Sequence, residues 1–132
     1  MTEGESPPAA PSTTQKSGAV VLASSQNWKV LIDCQLKNSQ FHQTAYIQYI
    51  GNQQSVETVT LAISDGTGQS KSVLSPNEIS HSFLKQAITT SSSVSGWEQA
   101  KKELQSIKIT VSWVANGKSN EETLQPAIYF PE

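Results

Sequence analysis

The sequence predicts a mainly β, antiparallel domain. The expected form is an immunoglobulin-like or Greek-key β-sandwich with one or two short helical segments in a crossover, a small β-barrel being the alternative. Three observations carry this. Apolar and polar residues alternate in several runs of strand length, as in Trp28-Lys-Val-Leu-Ile-Asp-Cys-Gln-Leu36. Clusters of Gly, Asn, Ser and Asp separate those runs at spacings of about 8–14 residues. Near the end, Asn116-Gly117, the dipeptide that best tolerates the positive φ of a type I′ turn, joins two of the runs.

Taken in order, residues 1–24 begin with Pro7, Pro8 and Pro11 among Ser, Thr and Gly, without apolar periodicity as far as Gly18. Such a composition buries too little surface to order itself, so 1–24 is expected to be a disordered tether and 25–132 a single domain. The apolar run Ala19–Ala23 is far shorter than the ~20 residues of a helical membrane span. A first strand is expected over Trp28–Leu36, with Val30, Ile32 and Cys34 in phase, and Lys37-Asn-Ser-Gln40 as the turn. The next, Gln43–Ile50, carries bulk on both faces, with Ala45, Ile47 and Tyr49 opposing Tyr46, Gln48 and Ile50. Val59, Leu61 and Ile63 mark a third strand, closed by a turn at Ser64-Asp-Gly-Thr-Gly68.

At Ser75 the period changes. Ser75-Pro-Asn-Glu78 has the form of a capping box, and Ile79, Phe83, Leu84, Ala87 and Ile88 fall at helical spacing. The alternation within Ile79-Ser-His-Ser-Phe83 makes a short strand the rival over 76–88. Thr89–Ser95 reads as a polar loop. Ser95-Gly-Trp-Glu98 is a second capping-box pattern, opening a short helix with Trp97, Ala100 and Leu104 on one side. In the last hairpin Ile109, Val111, Trp113 and Ala115 share a face. A two-residue turn would oppose Val111 to Glu122, whereas a four-residue loop, Asn116–Ser119, would oppose it to Leu124. Both registers keep the same inward face. Pro126 and Pro131 bracket a short terminal strand or docked tail.

Composition excludes several functions. The net charge of −2 creates no polyanion-binding field, and the chain has nine basic residues, all lysine. Without arginine there are no bidentate phosphate or guanine contacts, so nucleic acid is not an expected partner. Polarity comes instead from 20 Ser, 13 Gln, 11 Thr and 6 Asn, a composition more typical of secreted or surface proteins. The single cysteine, Cys34, excludes an internal disulfide and fits as a small buried strand residue.

Catalytic and metal signatures are weak. His42 and His81 lie 39 residues apart in polar surroundings, and no His or Cys pair has ligand spacing. Asp33 and Asp65 are a carboxylate pair only if the fold brings them together. There is no Gly-x-Ser-x-Gly elbow, and Asp65-Gly-Thr-Gly68 is better explained as a turn than as a protease or phosphate loop. No catalytic residue, metal site or cofactor is expected. The aromatic residues are the better candidates for binding. Trp28 and Trp113 are in phase with apolar strand faces and belong to the core. Tyr46 and Tyr49 lie on opposite faces of their strand, so one points outward. The expected binding residues are Tyr46 and Trp97.

Ser25-Gln-Asn-Trp-Lys-Val30, Thr44-Ala-Tyr-Ile-Gln-Tyr-Ile-Gly51 and Ile109-Thr-Val-Ser-Trp-Val-Ala-Asn-Gly-Lys118, following a Ser/Pro/Thr tether, resemble the mature part of small surface lipoproteins of Bacillus-type Gram-positive bacteria. That resemblance implies a lipidated cysteine, a linker and one small β domain, and the tether is read as following a removed signal that Met1 replaces, or as a free disordered terminus. It assigns no functional residues. The expected function is a non-enzymatic extracellular module at the cell surface. It would be anchored to the membrane only through that N-terminal lipid and would bind a protein or cell-envelope component. A small hydrolase or inhibitor with a loop-built site, and a structural spacer, are the alternatives.

Overall fold

The computed structural model describes residues 18–52, 56–65 and 68–130. These form eight strands: β1 (Gly18–Ser24), β2 (Trp28–Lys37), β3 (Gln40–Tyr49), β4 (Val56–Asp65), β5 (Gly68–Leu74), β6 (Lys85–Ser93), β7 (Lys108–Ala115) and β8 (Lys118–Tyr129). One helix, α1 (Trp97–Leu104), precedes β7, and a single 3₁₀ turn occupies Pro76–Glu78. The strands make one antiparallel sheet in the order β5-β4-β7-β8-β1-β2-β3-β6.

That sheet curls until its two edges, β5 and β6, face each other, with the Ser72 hydroxyl donating to the Ala87 carbonyl at 3.3 Å. The protein is therefore mainly antiparallel β and nearly closed as a barrel. The continuous sheet fits the barrel alternative.

The long strand β8 makes the curl possible. It pairs with β7 as far as Leu124, opposite Ile109, and then with β1 from Gln125, opposite Ser24. Pro126 falls just after this exchange, where the strand has one neighbour and a missing N–H is tolerated. The terminal segment thus continues the hairpin strand and is not a separate element. The β7–β8 turn has the two-residue form, with Asn116 at φ 55° and Gly117 at φ 76°. Asn38 (φ 51°) and Ser39 (φ 64°) join β2 to β3 by a turn of the same hand.

The alternating inward sets fill the interior. Val30, Ile32 and Cys34 of β2, Phe41, Ala45, Ile47 and Tyr49 of β3, and Ile109, Val111 and Trp113 of β7 are buried. Trp28 is fully enclosed, with its ring 4.9 Å from Tyr49 and 5.4 Å from Trp113. Its indole N–H finds no acceptor among the described residues.

Four expectations are corrected. Residues 18–24, assigned to the tether, form β1 and pair with both β2 and β8, so the folded domain starts at least seven residues earlier; residues 1–17 lie outside the described residues. Over 76–88, read as helical turn or short strand, the helical reading holds only for the Pro76–Glu78 turn, where Ser75 N donates to Glu78 Oε1 at 2.8 Å, and the strand reading holds from Lys85. Phe83, placed on the buried face of such a helix, is 57% exposed. The polar loop expected over 89–95 is largely strand: β6 runs to Ser93 along β3. A bulge at Ala87 explains the false helical spacing, since Ala45 pairs with Ile88 and Tyr46 with Gln86, and one extra residue breaks the two-residue period. At α1 the N-cap is Gly96, not Ser95; the Gln99 side chain instead accepts from Ser95 N at 2.6 Å.

Candidate functional site

Tyr46 lies on the outward face of β3 and is half-buried there, while Tyr49 points inward and is enclosed. Strand register explains why an outward tyrosine is half-covered. Ala127, Leu22, Leu31 and Tyr46 are direct lateral neighbours across β8, β1, β2 and β3. Tyr129 and Val20 extend this row by one rung on the same face, and Tyr129 is 55% exposed. Lateral neighbours cover one another across the sheet, and here four adjacent strands put apolar groups on the outside.

The opposite side of the barrel is built differently. Outward neighbours on β4, β7 and β8 are Thr60, Ser112 and Glu121 in one row and Ala62, Thr110 and Thr123 in the next. Both faces obey the same alternation, yet among the described residues the apolar row lies on the side containing Tyr46. A transmembrane barrel has apolar groups around its outside and a polar interior. This barrel has a packed apolar interior, and its apolar outer row occupies one side.

Trp97 belongs elsewhere. At the start of α1 it is half-buried, with its ring 6.4 Å from Phe41 and 6.0 Å from Phe130, both edge-on. Ala100 and Leu104, on the same side of α1, are buried in the core. Lys101 Nζ lies 5.5 Å from the Phe130 ring centre, on the outer side of this cluster. Phe41 and Tyr46 are five positions apart on β3, hence on opposite faces and roughly 17 Å distant at strand rise. The structure therefore does not bring Tyr46 and Trp97 together. Trp97 closes one end of the barrel.

The candidate titratable groups are also dispersed. His42 Nδ1 is 2.7 Å from the Ser91 hydroxyl on the outer surface, and the His81 ring packs edge-on against Tyr49 at 5.0 Å. Asp33 points outward beside Thr44, whereas Asp65 points inward at the end of β4, so the two carboxylates are not a pair. Among the described residues no three His, Cys, Asp or Glu side chains converge to hold a metal ion.

Two features were not identified from the sequence. The first is a cavity of about 140 Å³ where β5 and β6 face each other, lined by Ile32, Ile63, Ile88, Gln43, Asp65 and Ser70 among others. Gln43, 7% exposed and the one buried polar side chain among the described residues, donates from Nε2 to Asp65 Oδ2 at 3.0 Å. Cys34, beside Gln43 across the β2–β3 ladder, is enclosed near this pair. Burial first, then the carboxylates of Asp33 and Asp65, push its thiol up to about 12, which makes it a poor nucleophile.

The second feature is Glu122. Its carboxylate faces inward at the barrel rim and accepts from Ser25 Oγ at 2.6 Å, Asn27 N at 3.1 Å and Asn27 Nδ2 at 2.5 Å. This ties the β1–β2 turn to β8 and serves the fold. Only a partner for the inward Glu122 could have revealed it, and Ser25 lies 97 residues away.

Fold and surface together define a near-closed antiparallel β-barrel with one apolar outer side and a polar seam. Comparison with protein-family models, with curated proteins and with solved structures gave no match.

Proposed function

We propose that the protein is a non-enzymatic binding module of a tethered surface protein, working outside the cell and docking a protein or cell-envelope component on the barrel side centred on Tyr46. The observation that carries this is the outward row Ala127–Leu22–Leu31–Tyr46, set against the Thr- and Ser-rich outer rows of β4 and β7. An apolar outer face has no role in filling the interior, and an apolar row half-covered by its own neighbours is a surface that a partner can cover. Tyr46 and Tyr129 suit such a face because a tyrosine offers contact area and a hydroxyl with little rotamer entropy to lose. The arginine-free composition, rich in Ser, Thr and Gln, supports the extracellular setting. Trp97, occupied with Phe41 and Phe130, is not part of the docking surface.

The test is co-sedimentation of labelled protein with isolated Gram-positive cell envelopes and with purified peptidoglycan. The wild type is expected to bind, and Tyr46→Lys and Leu31→Lys to weaken binding at least tenfold with unchanged circular dichroism. Trp97→Phe should bind as the wild type does. Absence of wild-type binding, or wild-type binding by both lysine variants, overturns the proposal.

A further inference from the structure

The cavity between β5 and β6 has the chemistry of a recognition site, and it is separate from the outer face around Tyr46. It opens where the barrel fails to close. Near the middle of the seam the Ser72 hydroxyl reaches the Ala87 carbonyl at 3.3 Å. Towards Gly68 on β5 and Ser92 on β6 the edges part around the cavity. Because the eight strands alternate in direction around the sheet, β5 and β6 are antiparallel across the seam. A single inserted strand would be parallel to one of them, so the gap does not suit strand addition. It suits a small group entering from solvent.

Its charged group, Asp65, and the amide oxygen of Gln43 are acceptors. A carboxylate can only accept, so the Gln43 amide must turn its nitrogen to Asp65, which leaves the amide oxygen as a second acceptor. Hydroxyls of Ser70, Thr90 and Ser92 also line the space and can accept in turn. Asp65 is the one charged side chain among the described residues lining it. The aliphatic side chains of Ile32, Ile63 and Ile88 line the same space. Anions are repelled by Asp65. A quaternary ammonium needs an aromatic cage, and no aromatic side chain is among the lining residues described. A primary ammonium supplies three donors and one positive charge, and its alkyl stem suits the isoleucines. The volume, about 140 Å³ against ~30 Å³ for a water in the liquid, accommodates a short alkyl chain.

We propose that the β5–β6 seam is a binding site for a primary alkylammonium group, held by Asp65 and Gln43 with its alkyl chain against Ile63 and Ile88. The group could be carried by a free amine or by a lysine side chain, since both present the same chemistry.

The experiment is an amide NMR titration of the full chain with n-butylammonium chloride, with n-butanol and tetramethylammonium chloride as controls at matched ionic strength. Saturable shifts are expected at Ser70, Thr90, Ser92 and the Gln43 side-chain amide, with both controls at least tenfold weaker. Asp65→Asn should weaken butylammonium at least tenfold. If Asp65→Asn loses its β-sheet signature, Ser70→Leu, which keeps the carboxylate and obstructs the cavity, should produce the same loss. Nα-acetyl-lysine methylamide distinguishes the sources: binding as tight as butylammonium supports the site with a protein-borne lysine, and binding tenfold weaker supports it with a free amine. Equal shifts with butanol, shifts confined to residues outside the seam, or unchanged affinity in a folded Asp65→Asn or Ser70→Leu variant overturn the proposal.

Discussion

The Ser25 hydroxyl donates to Glu122 Oε1 at 2.6 Å, across 97 residues of sequence. With Asn27 N and Nδ2 on the same carboxylate, the β1–β2 turn is fastened to the strand that carries the sheet from β7 to β1. This explains how a glutamate can sit inward, opposite the buried Val111. The charge is part-buried but satisfied, and it closes the rim where β8 changes partner. Glu122→Ala is therefore expected to destabilise the fold by about 2–4 kcal/mol, because hydrogen bonds to a charged group are lost and three donors are left without their acceptor. Urea denaturation measures it. A loss below about 0.5 kcal/mol, the range of ordinary surface substitutions, would show that the carboxylate does not hold the rim.

Gly51 bears on the same turn. A Cβ built there would collide with Asn27 Oδ1 and lie 2.6 Å from the Tyr49 hydroxyl. Ile50 N also donates to the Asn27 carbonyl at 2.8 Å, so the chain after β3 is held tightly against this turn. Gly51→Ala must displace the Asn27 side chain and with it the Nδ2 bond to Glu122. A cost of about 1–3 kcal/mol is expected from overpacking. In the Glu122→Ala background the cost should shrink, because Asn27 is then free to move. A double-mutant cycle reads this coupling, and strict additivity would mean that the two sites are independent.

Gly117 is a purely conformational case. It holds φ 76°, and a Cβ there meets nothing within 4 Å. Gly117→Ala should cost about 1–2 kcal/mol, the strain of an L-residue in the left-handed region, while the β7–β8 register persists. Thermal unfolding gives the cost. Amide exchange at Val114 and Ser119 would reveal a slipped register if the two-residue turn were abandoned.

Cys34 links burial to pH. Its thiol ionises near 9.0 when unperturbed and at about 12 in the folded barrel. The raised value means that the folded state keeps a proton the unfolded chain has lost. The associated stability is fully present below pH 9 and is lost as pH rises from about 9 to 12. Urea midpoints across that window should fall more steeply for the wild type than for Cys34→Ala. Parallel pH profiles would rule out the thiol as the cause. At pH 8 a thiol reagent should label Cys34 only as fast as the chain unfolds.

Much of the barrel is legible in the chain because strand alternation is a local property. The inward sets of β2, β3, β4 and β7 follow from period-two patterns, and Asn116-Gly117 specifies its turn through its own φ preferences. Three strands were obscured for physical reasons. In β1 both faces are apolar: Ala19, Val21 and Ala23 point into the core, and Val20 and Leu22 point out, Leu22 into the row shared with Leu31 and Tyr46. No alternation is left to read. In β6 the Ala87 bulge turns a strand period into an apparent helical one, and the hydroxyl-rich stretch to Ser93 resembles a loop. β5, another edge strand, shows few apolar residues, with Leu74 inward and Val73 outward and 68% exposed.

Of the residues selected for binding, Tyr46 lies on the apolar outer row and Trp97 in the packing at the barrel end. The sequence shows that both are aromatic, but not which neighbours occupy their faces. Phe41 and Phe130 reach Trp97 only because β3 and the end of β8 converge on α1.

By itself the sequence determined an antiparallel β domain, most of the inward residues and the turn chemistry. Tertiary structure alone decided that β8 exchanges partners and carries the sheet round into a nearly closed barrel. It also decided that Ser25 and Asn27 satisfy Glu122, that Gln43 meets Asp65 in an unclosed seam, and that Ala127, Leu22, Leu31 and Tyr46 stand side by side. The reason is common to all four. Alternation is set by each residue's own backbone and neighbours, whereas lateral register joins residues tens of positions apart, and no local pattern records which of them will meet.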